Sequence, residues 1–344
     1  MQQIYYQFLR ENDIDDKGAS EMGISLGKCQ SLQNLNIDFT DNLINLSKFS
    51  DLCSAFTKCQ KLEKLILDVQ HNNLEDIGGL EIASAILDLK NLSSLTVQFG
   101  YCSQLDNLSF FEQDFGTAQK NQQANTSELN LQNQKLGQND ITKLCQALAL
   151  CKNVSNLKLK LKKNKIGNEG ILGLVQFLSN LKKLSILSFN FEFNRKKLEY
   201  KGQESILSQI LTKCAEVKQL KLKLEFNLIG PSDVIGLGHT FQKCTKLSTL
   251  AIKLEQNKMT KEGIFKSIST LTKCNHLKQL KIFLGYLAIK DQEIQALCPI
   301  LEDLNGIQSL LLDLQCNQIT NQGVIMLSST LAKSLKLLNL TLNI

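Results

Sequence analysis

One pattern recurs along almost the whole of this 344-residue chain and constrains its fold more than any other feature. It reads L-x-x-L-x-L-x-L-x-x-N-x-I-x-x-x-G, followed by a run with helical spacing, and residues 154–183 hold a clear copy. Most successive copies begin 30 residues apart. A period of this length is typical of solenoids, in which each repeat stacks on its neighbours. We therefore interpret residues 1–344 as a single domain of about eleven repeats of roughly 30 residues, with an irregular insertion near residues 100–126.

Each half of the repeat predicts its own element. Strict alternation places Leu157, Leu159 and Leu161 on one side of a short strand, with Lys158 and Lys160 on the other. The apolar spacing after the glycine predicts a helix. In several repeats the strand is followed by an asparagine whose amide can bond the backbone of the neighbouring coil. The clearest of these asparagines are Asn164, Asn227, Asn257 and Asn317.

This pattern resembles the leucine-rich repeats of the ribonuclease-inhibitor type, over essentially the whole chain. The family's units run about 28–29 residues with L-x-L-x-x-N, whereas most units here carry one more strand dyad. Long-strand versions rich in Gln, Asn and Lys look like those of ciliate protists. The resemblance implies an α/β fold, a leucine-rich-repeat solenoid (horseshoe) with a parallel sheet on the concave face and helices on the convex face.

Composition sets the expected environment. Apolar residues make up 43% and charged residues 21%, which is ordinary for a folded protein, and no run approaches the roughly 20 apolar residues of a membrane span. The N-terminal residues show neither a basic nor an apolar signal region. We therefore expect no membrane contact and reduced thiols at the 11 cysteines. The expected location is the cytoplasm, with a cytoskeletal or ciliary assembly as an open alternative.

The tripeptide Asp114-Phe115-Gly116 is the one that carries magnesium in protein kinases. A kinase also needs a glycine-rich loop, a strand lysine and an H-R-D loop upstream, and the sequence has none of them. We find no P-loop, no H-E-x-x-H and no histidine with a defensible nucleophile partner. The sequence therefore predicts a protein that is not an enzyme, with no cofactor and no metal.

Six cysteines share one repeat position, three residues before the first apolar residue of the repeat. They are either metal ligands or small buried residues at the corner between helix and strand. We favour burial, because no C-x-x-C occurs and one ligand per coil does not gather four around a zinc ion. These residues are Cys29, Cys59, Cys151, Cys214, Cys244 and Cys274.

Function in such an arc should lie in the side chains between the strand leucines. One row was assigned by the spacing as Asp38, Asp68, Gln98, Gln132, Lys160, Asn190, Lys223, Lys253, Phe283, Asp313 and Thr341. Lysines gather in the middle repeats of this row and the row beside it, and Glu192, Glu225 and Glu255 border them. The predicted partner-binding residues are Lys158, Lys160, Lys221, Lys223, Lys253, Lys281 and Phe283.

We interpret this lysine cluster as a surface for an acidic segment of a protein partner, with a merely solvated sheet face as the alternative. Nucleic acid fits less well, because aromatic residues are nearly absent from the rows and the glutamates would repel phosphate. The leading function is a non-catalytic interaction scaffold, within a larger assembly. The alternatives are a GTPase regulator resembling Ran GTPase-activating proteins and a ribonuclease-inhibitor-like role.

The last residues, LKLLNLTLNI, should form a strand that exposes Leu338, Leu340 and Leu342. An unpaired strand edge with apolar side chains is normally covered. We therefore expect a neighbour to cover this C-terminal edge: a partner, a second copy or another member of an assembly.

Overall fold

A computed structural model describes residues 4–44, 52, 56, 58–72, 92–98, 126–133, 135–137, 141–142, 145, 154–192, 194, 215–227, 229–230, 237, 241, 243–257 and 259–344. All structural features reported below lie in these residues. The chain divides into two compact units, Met1–Leu184 and Ser185–Ile344. The kinase tripeptide at residues 114–116 lies outside the described residues.

The first unit holds six strands in its described part, each paired in parallel with the next. They are β1 (Ile4–Phe8), β2 (Asn34–Asp38), β3 (Lys64–Asp68), β4 (Ser94–Gln98), β5 (Thr126–Asn130) and β6 (Asn156–Lys160). Its described helices are α1 (Asp16–Leu26) and α2 (Asn168–Asn180).

The second unit also holds six strands, again parallel and in chain order. They are β7 (Ile186–Asn190), β8 (Gln219–Lys223), β9 (Thr249–Lys253), β10 (Gln279–Phe283), β11 (Ser309–Asp313) and β12 (Asn339–Asn343). Its described helices are α3 (Lys261–Ser269), α4 (Asp291–Asp303) and α5 (Asn321–Ala332), and a 3-10 helix covers Thr270–Lys273. The described strands thus number twelve, against about eleven expected from the repeats.

Leucine layers hold each unit together. Within a strand the second and fourth side chains point inward, as Leu220 and Leu222 do in β8, where both are almost fully buried. The register pairs apolar residues of neighbouring strands, so that Leu220 lies beside Leu250 of the next strand. Every strand therefore shares its apolar layer with the strands on either side. The predicted α/β solenoid is confirmed.

The asparagine that follows most strands makes the predicted backbone hydrogen bonds. Asn164 donates its amide hydrogens to the carbonyls of Leu161 (2.9 Å) and of Leu131 in the preceding coil (2.8 Å). Its side-chain oxygen accepts the N–H of Leu136 at 3.0 Å. A buried turn needs such partners for its backbone groups. Asn227, Asn257 and Asn317 repeat the pattern of bonds in the second unit.

The repeated glycine lies in the first turn of the helix rather than before it. At Gly323 in α5, an added Cβ would lie 2.4 Å from an oxygen of Asp291 and 2.7 Å from Ile319. Asp291 in turn accepts hydrogen bonds from the backbone N–H (2.8 Å) and hydroxyl of Thr320. The glycine is thus required for close packing between coils. No described helix is both long and apolar enough to cross a membrane.

Candidate functional site

Three rows of side chains cover the strand face of each unit, the side opposite the buried leucines. We call the third residue of every strand the central row and the fifth residue the end row. The residue two positions beyond the strand belongs to the turn row. In β8 these are Lys221, Lys223 and Glu225, which flank the buried Leu222 and Leu224.

The register shows that the sequence-based row was wrong at two strands. Gln98 and Lys160 both pair with Asn130, not Gln132, so Glu128 rather than Asn130 lies beside Lys158. At the last strand, Asp313 pairs with Asn343 and not with Thr341. Both errors are a shift of two residues, which leaves the inward and outward sides unchanged and therefore leaves no mark on the alternation.

In the first unit, Glu128 forms an ion pair with each of the two predicted lysines. Its carboxylate lies 3.1 Å from the ammonium of Lys158 and 2.8 Å from that of Lys160. Burial of Glu128 opposes ionisation, but the hydrogen bonds from Lys160 and Lys158 outweigh it and lower the pKa of this carboxyl. The two lysines therefore form one ion-paired cluster with a carboxylate that the sequence-based row had misplaced.

Next to this cluster the first unit carries a ladder of amides and carboxylates. The Gln98 amide donates to Asp68 at 2.8 Å, and the Gln70 amide donates to the same carboxylate at 3.0 Å. Asn130 donates to Gln70 at 3.0 Å, and Gln132 donates to Asn130 at 2.8 Å. These polar side chains thus satisfy one another across neighbouring coils.

In the second unit, two of the predicted lysines lean toward the turn row. The Lys223 ammonium lies 3.5 Å from Glu192, and that of Lys253 lies 3.9 Å from Glu225. Lys253 also lies over the ring of Phe283, 4.0 Å from its centroid, in a cation–π contact. The structure therefore brings Lys253 and Phe283 together and places carboxylates beside both end-row lysines.

Two glutamates of the turn row, Glu225 and Glu255, are incompletely hydrogen-bonded. Glu225 is 8% exposed, and one carboxylate oxygen of Glu225 and one of Glu255 are buried without a hydrogen-bond partner. Burial raises the pKa of the Glu225 carboxyl, and the charges of Glu192 and Glu255 add to that effect. Burial likewise raises the pKa of Glu255, with Asp313 and Glu192 as contributing charges.

The central-row lysines Lys221 and Lys281 are exposed. Lys281 stands opposite Ala251 on one side and Leu311 on the other. In the described part of the chain, Lys281 has no carboxylate within ion-pair distance, in contrast to Lys223 and Lys253. The sequence could not separate these lysines, because their carboxylate partners lie about one repeat away.

The cysteine position is a buried corner at three of the four described residues. Cys59, Cys244 and Cys274 are buried, and the Cys59 sulfur lies 3.5 Å from the carbonyl oxygen of Leu26. Burial raises the pKa of Cys244 to about 12 and that of Cys274 to about 11. The expectation is wrong at Cys29, which is exposed.

The two remaining residues of this cysteine set, 151 and 214, lie outside the described part. Among the described residues, no group of three or more His, Cys, Asp or Glu side chains is arranged to hold a metal ion.

At the last strand, apolar side chains are exposed to solvent. Leu335 is 97% and Leu338 76% exposed, and β12 pairs with β11 through the register Leu310 to Leu340. A cavity of about 290 Å³ opens beside Leu335, with Leu331 and Leu310 in its wall.

The parallel strands, leucine layers and asparagine turns define a leucine-rich repeat protein. Three segments of the sequence, residues 58–83, 155–175 and 307–328, match the family model described as Leucine Rich repeat. No curated protein sequence matches this chain significantly.

One solved structure shares the fold of this chain. The crystal structure of an internalin (inlF) from Listeria monocytogenes is similar over 98% of this chain and 86% of that one, with a TM-score of 0.51 and 16% identity. An internalin C2 (inlC2) from the same organism matches over 60% of this chain and 84% of that one, with a TM-score of 0.34 and 19% identity. At this level of identity, the first likeness concerns the fold alone.

Proposed function

We propose that this chain is a non-catalytic scaffold that binds a protein partner through its strand face. The observation that carries the proposal is a rigid parallel sheet that presents exposed lysines and Phe283 in register on one side. Aromatic residues beside cationic ones are common anchors of protein interfaces. The ribonuclease-inhibitor repeat type and the likeness to ciliate repeats belong to the same proposal and rest on the sequence pattern.

The proposed partner offers an acidic segment to strand-face lysines. The proposed contact residues are Lys158, Lys160, Lys221, Lys223, Lys253, Lys281 and Phe283. Lysines that already hold a carboxylate, such as Lys160 and Lys223, would exchange it for one of the partner. We place the protein in the cytoplasm, or in a cytoskeletal or ciliary assembly there. Free buried thiols such as Cys244 and Cys274 support a reducing environment.

Charge reversal tests the strand face directly. With Lys160, Lys223 and Lys253 changed together to Glu, binding of a partner isolated from the native cells should be lost. Binding to the original chain should also weaken as salt rises, because exposed charges are screened over about 8 Å at physiological ionic strength. The matched control changes Lys182, Lys246 and Lys266, exposed lysines outside the three rows, to Glu and should leave binding intact.

If the strand-face variant binds as well as the original chain, or if salt does not change the affinity, the partner does not bind through the strand face. A GTP hydrolysis assay with and without the protein separates the scaffold from a GTPase regulator of the Ran type. Acceleration of hydrolysis would favour the regulator, which rests on the repeat type alone.

The exposed leucines at β12 support a second contact. A neighbouring polypeptide covers Leu335 and Leu338 in our proposal, because exposed apolar side chains beside a strand edge favour association. Amide hydrogen exchange of residues 335–344 should then be fast in the isolated chain and slow in the native assembly. Slow exchange in the isolated chain would contradict this contact.

A further inference from the structure

The second unit contains two kinds of strand-face lysine, and the difference lies in their neighbours. Lys223 and Lys253 lie in the end row, beside Glu192 and Glu225 of the turn row. Both lysines thus take their carboxylate from the turn row of the preceding coil. In coil 10, the repeat that begins with β10, the end-row residue is Phe283, and Lys281 in the central row forms no ion pair with a described carboxylate.

The acidic side chain of the neighbouring strand β11 is already engaged. Asp313 follows Leu311 on β11, the strand next to Lys281. Its carboxylate accepts the backbone N–H of Gln315 at 3.1 Å and the side-chain amide of Asn343 at 3.3 Å. An incoming carboxylate at Lys281 therefore meets an exposed ammonium with no ion pair in the described residues, and it need not displace an internal partner.

Apolar side chains surround this lysine on the sheet. Ala251 and Leu311 are its direct neighbours across the strands, and Phe283 follows it two residues later on the same side. All three are half-buried, so part of each surface faces solvent. Lys253 lies on the Phe283 ring and closes one side of the group. We call these four residues, Lys281, Phe283, Leu311 and Ala251, the coil-10 patch.

We propose that the coil-10 patch is the anchor point of the protein partner, and that it receives a segment carrying a carboxylate next to an aliphatic or aromatic side chain. This inference rests on the proposed function and sharpens it. Lys281 is exposed, has no ion pair among the described residues and stands between apolar neighbours. On the strand face of the second unit, no other described lysine combines these features. The carboxylate pairs with Lys281, and the apolar group covers Leu311 and Phe283.

Energetics favour this position over the end-row lysines. A partner carboxylate at Lys253 would compete with Glu225, a buried acid that already lacks a partner for one oxygen. Separating that pair leaves a buried charge without compensation, which is costly. At Lys281 the same contact costs only the solvation of exposed groups, and the apolar contacts add to it.

The test uses the full chain and a phage-displayed library of random peptides as the probe. Selected peptides should be enriched in Asp or Glu directly beside Leu, Ile, Val, Phe or Tyr. The most enriched peptide, made synthetically with a fluorescent label, is then titrated by anisotropy. Lys281→Gln and Leu311→Ser should each weaken its binding about tenfold or more, as expected for a charged hydrogen bond or a buried apolar contact.

Two controls match these changes. Lys278→Gln removes the same charge from an exposed lysine just before β10 and should change binding by less than about threefold, as for other peripheral charges. The double variant Lys223→Gln/Lys253→Gln, at two proposed contact residues outside the patch, is the comparison and should weaken binding less than Lys281→Gln does. Circular dichroism and thermal unfolding of each variant separate loss of binding from loss of fold.

The outcomes separate this inference from the proposed function. If the double variant abolishes peptide binding and Lys281→Gln does not, the strand face remains the site and the coil-10 patch is wrong. If none of the strand-face variants changes binding, both fail. An empty selection, or selected peptides without the acidic-apolar pairing, also overturns the inference.

Discussion

At the scale of single residues, the strand face is governed by how its carboxylates are paired. Glu128 receives hydrogen bonds from two lysines, and its pKa is lowered. Glu225 has one weak contact with Lys253 at 3.9 Å and one buried oxygen without a partner, and its pKa is raised. Glu128 in the central row and Glu225 in the turn row thus act on stability in opposite directions.

The first prediction concerns these two acids. Glu225→Gln should stabilise the protein at pH 7.5 by about 1 kcal/mol, because it removes a buried charge while keeping the side-chain shape. Glu128→Gln should destabilise it by up to about 1 kcal/mol, because it removes the partner of Lys158 and Lys160. Urea unfolding at fixed pH measures both.

The pH dependence follows from the sign of each shift. A raised folded-state pKa means that folded Glu225 binds more protons than unfolded Glu225 between the ordinary carboxyl pKa and the raised one. Its contribution to stability is therefore lost as pH rises through that window. Glu225→Gln should flatten this loss. An unchanged pH profile would show that Glu225 is not the titrating group.

At the scale of elements, the contact between helices α4 and α5 depends on one absent Cβ. Gly323 lies in the first turn of α5, where Asp291 of α4 reaches Thr320 of the same turn. Asp291 thereby bonds the start of the neighbouring helix, and a lowered Asp291 pKa follows from the hydrogen bonds of the Thr320 side chain and backbone. One carboxylate thus connects two coils.

The second prediction tests this contact. Gly323→Ala should lower the free energy of unfolding by about 1–3 kcal/mol, because the new methyl group would overlap Asp291 and Ile319. The control Ser328→Ala, at an exposed position of α5, should have an effect below about 0.5 kcal/mol. Thermal unfolding of the two variants measures both changes in stability. A neutral Gly323→Ala would mean that Asp291 moves aside at no cost.

At the scale of the whole molecule, stability is shared between neighbouring coils, because each strand contacts only the strands beside it. Leu222 lies between Phe189 of β7 and Ile252 of β9 and is 2% exposed. A change at such a position should therefore be felt first in adjacent coils.

The third prediction concerns the effect of one buried leucine on the adjacent coils. Leu222→Ala should cost about 2–5 kcal/mol, whereas Lys160→Ala on the strand face should cost at most about 1 kcal/mol. Amide hydrogen exchange should rise in β7 to β9 of the Leu222→Ala chain, while β11 keeps more of its protection. Equal losses of stability at both positions would contradict the alternation on which the fold rests.

Much of the architecture was determined by the sequence alone. Alternation such as Leu157-Lys158-Leu159 decides which side chains are buried, since inward and outward positions follow a period of two. Asn164 and its equivalents fall at the turns because a buried turn requires backbone hydrogen bonds. Successive copies of the repeat of about 30 residues then stack into a parallel solenoid.

Only the tertiary structure decided which lysines form ion pairs with carboxylates. Glu128 reaches Lys158 from a strand 30 residues away and also pairs with Lys160. Lys223 and Lys253 reach back to Glu192 and Glu225 of the preceding coil, whereas Lys281 has no ion pair in the described part of the chain. These differences depend on the register between strands. A shift of two residues preserves every buried leucine but exchanges the neighbours on the outer face. Burial is therefore encoded within each strand, whereas charge pairing is settled only when the strands come together.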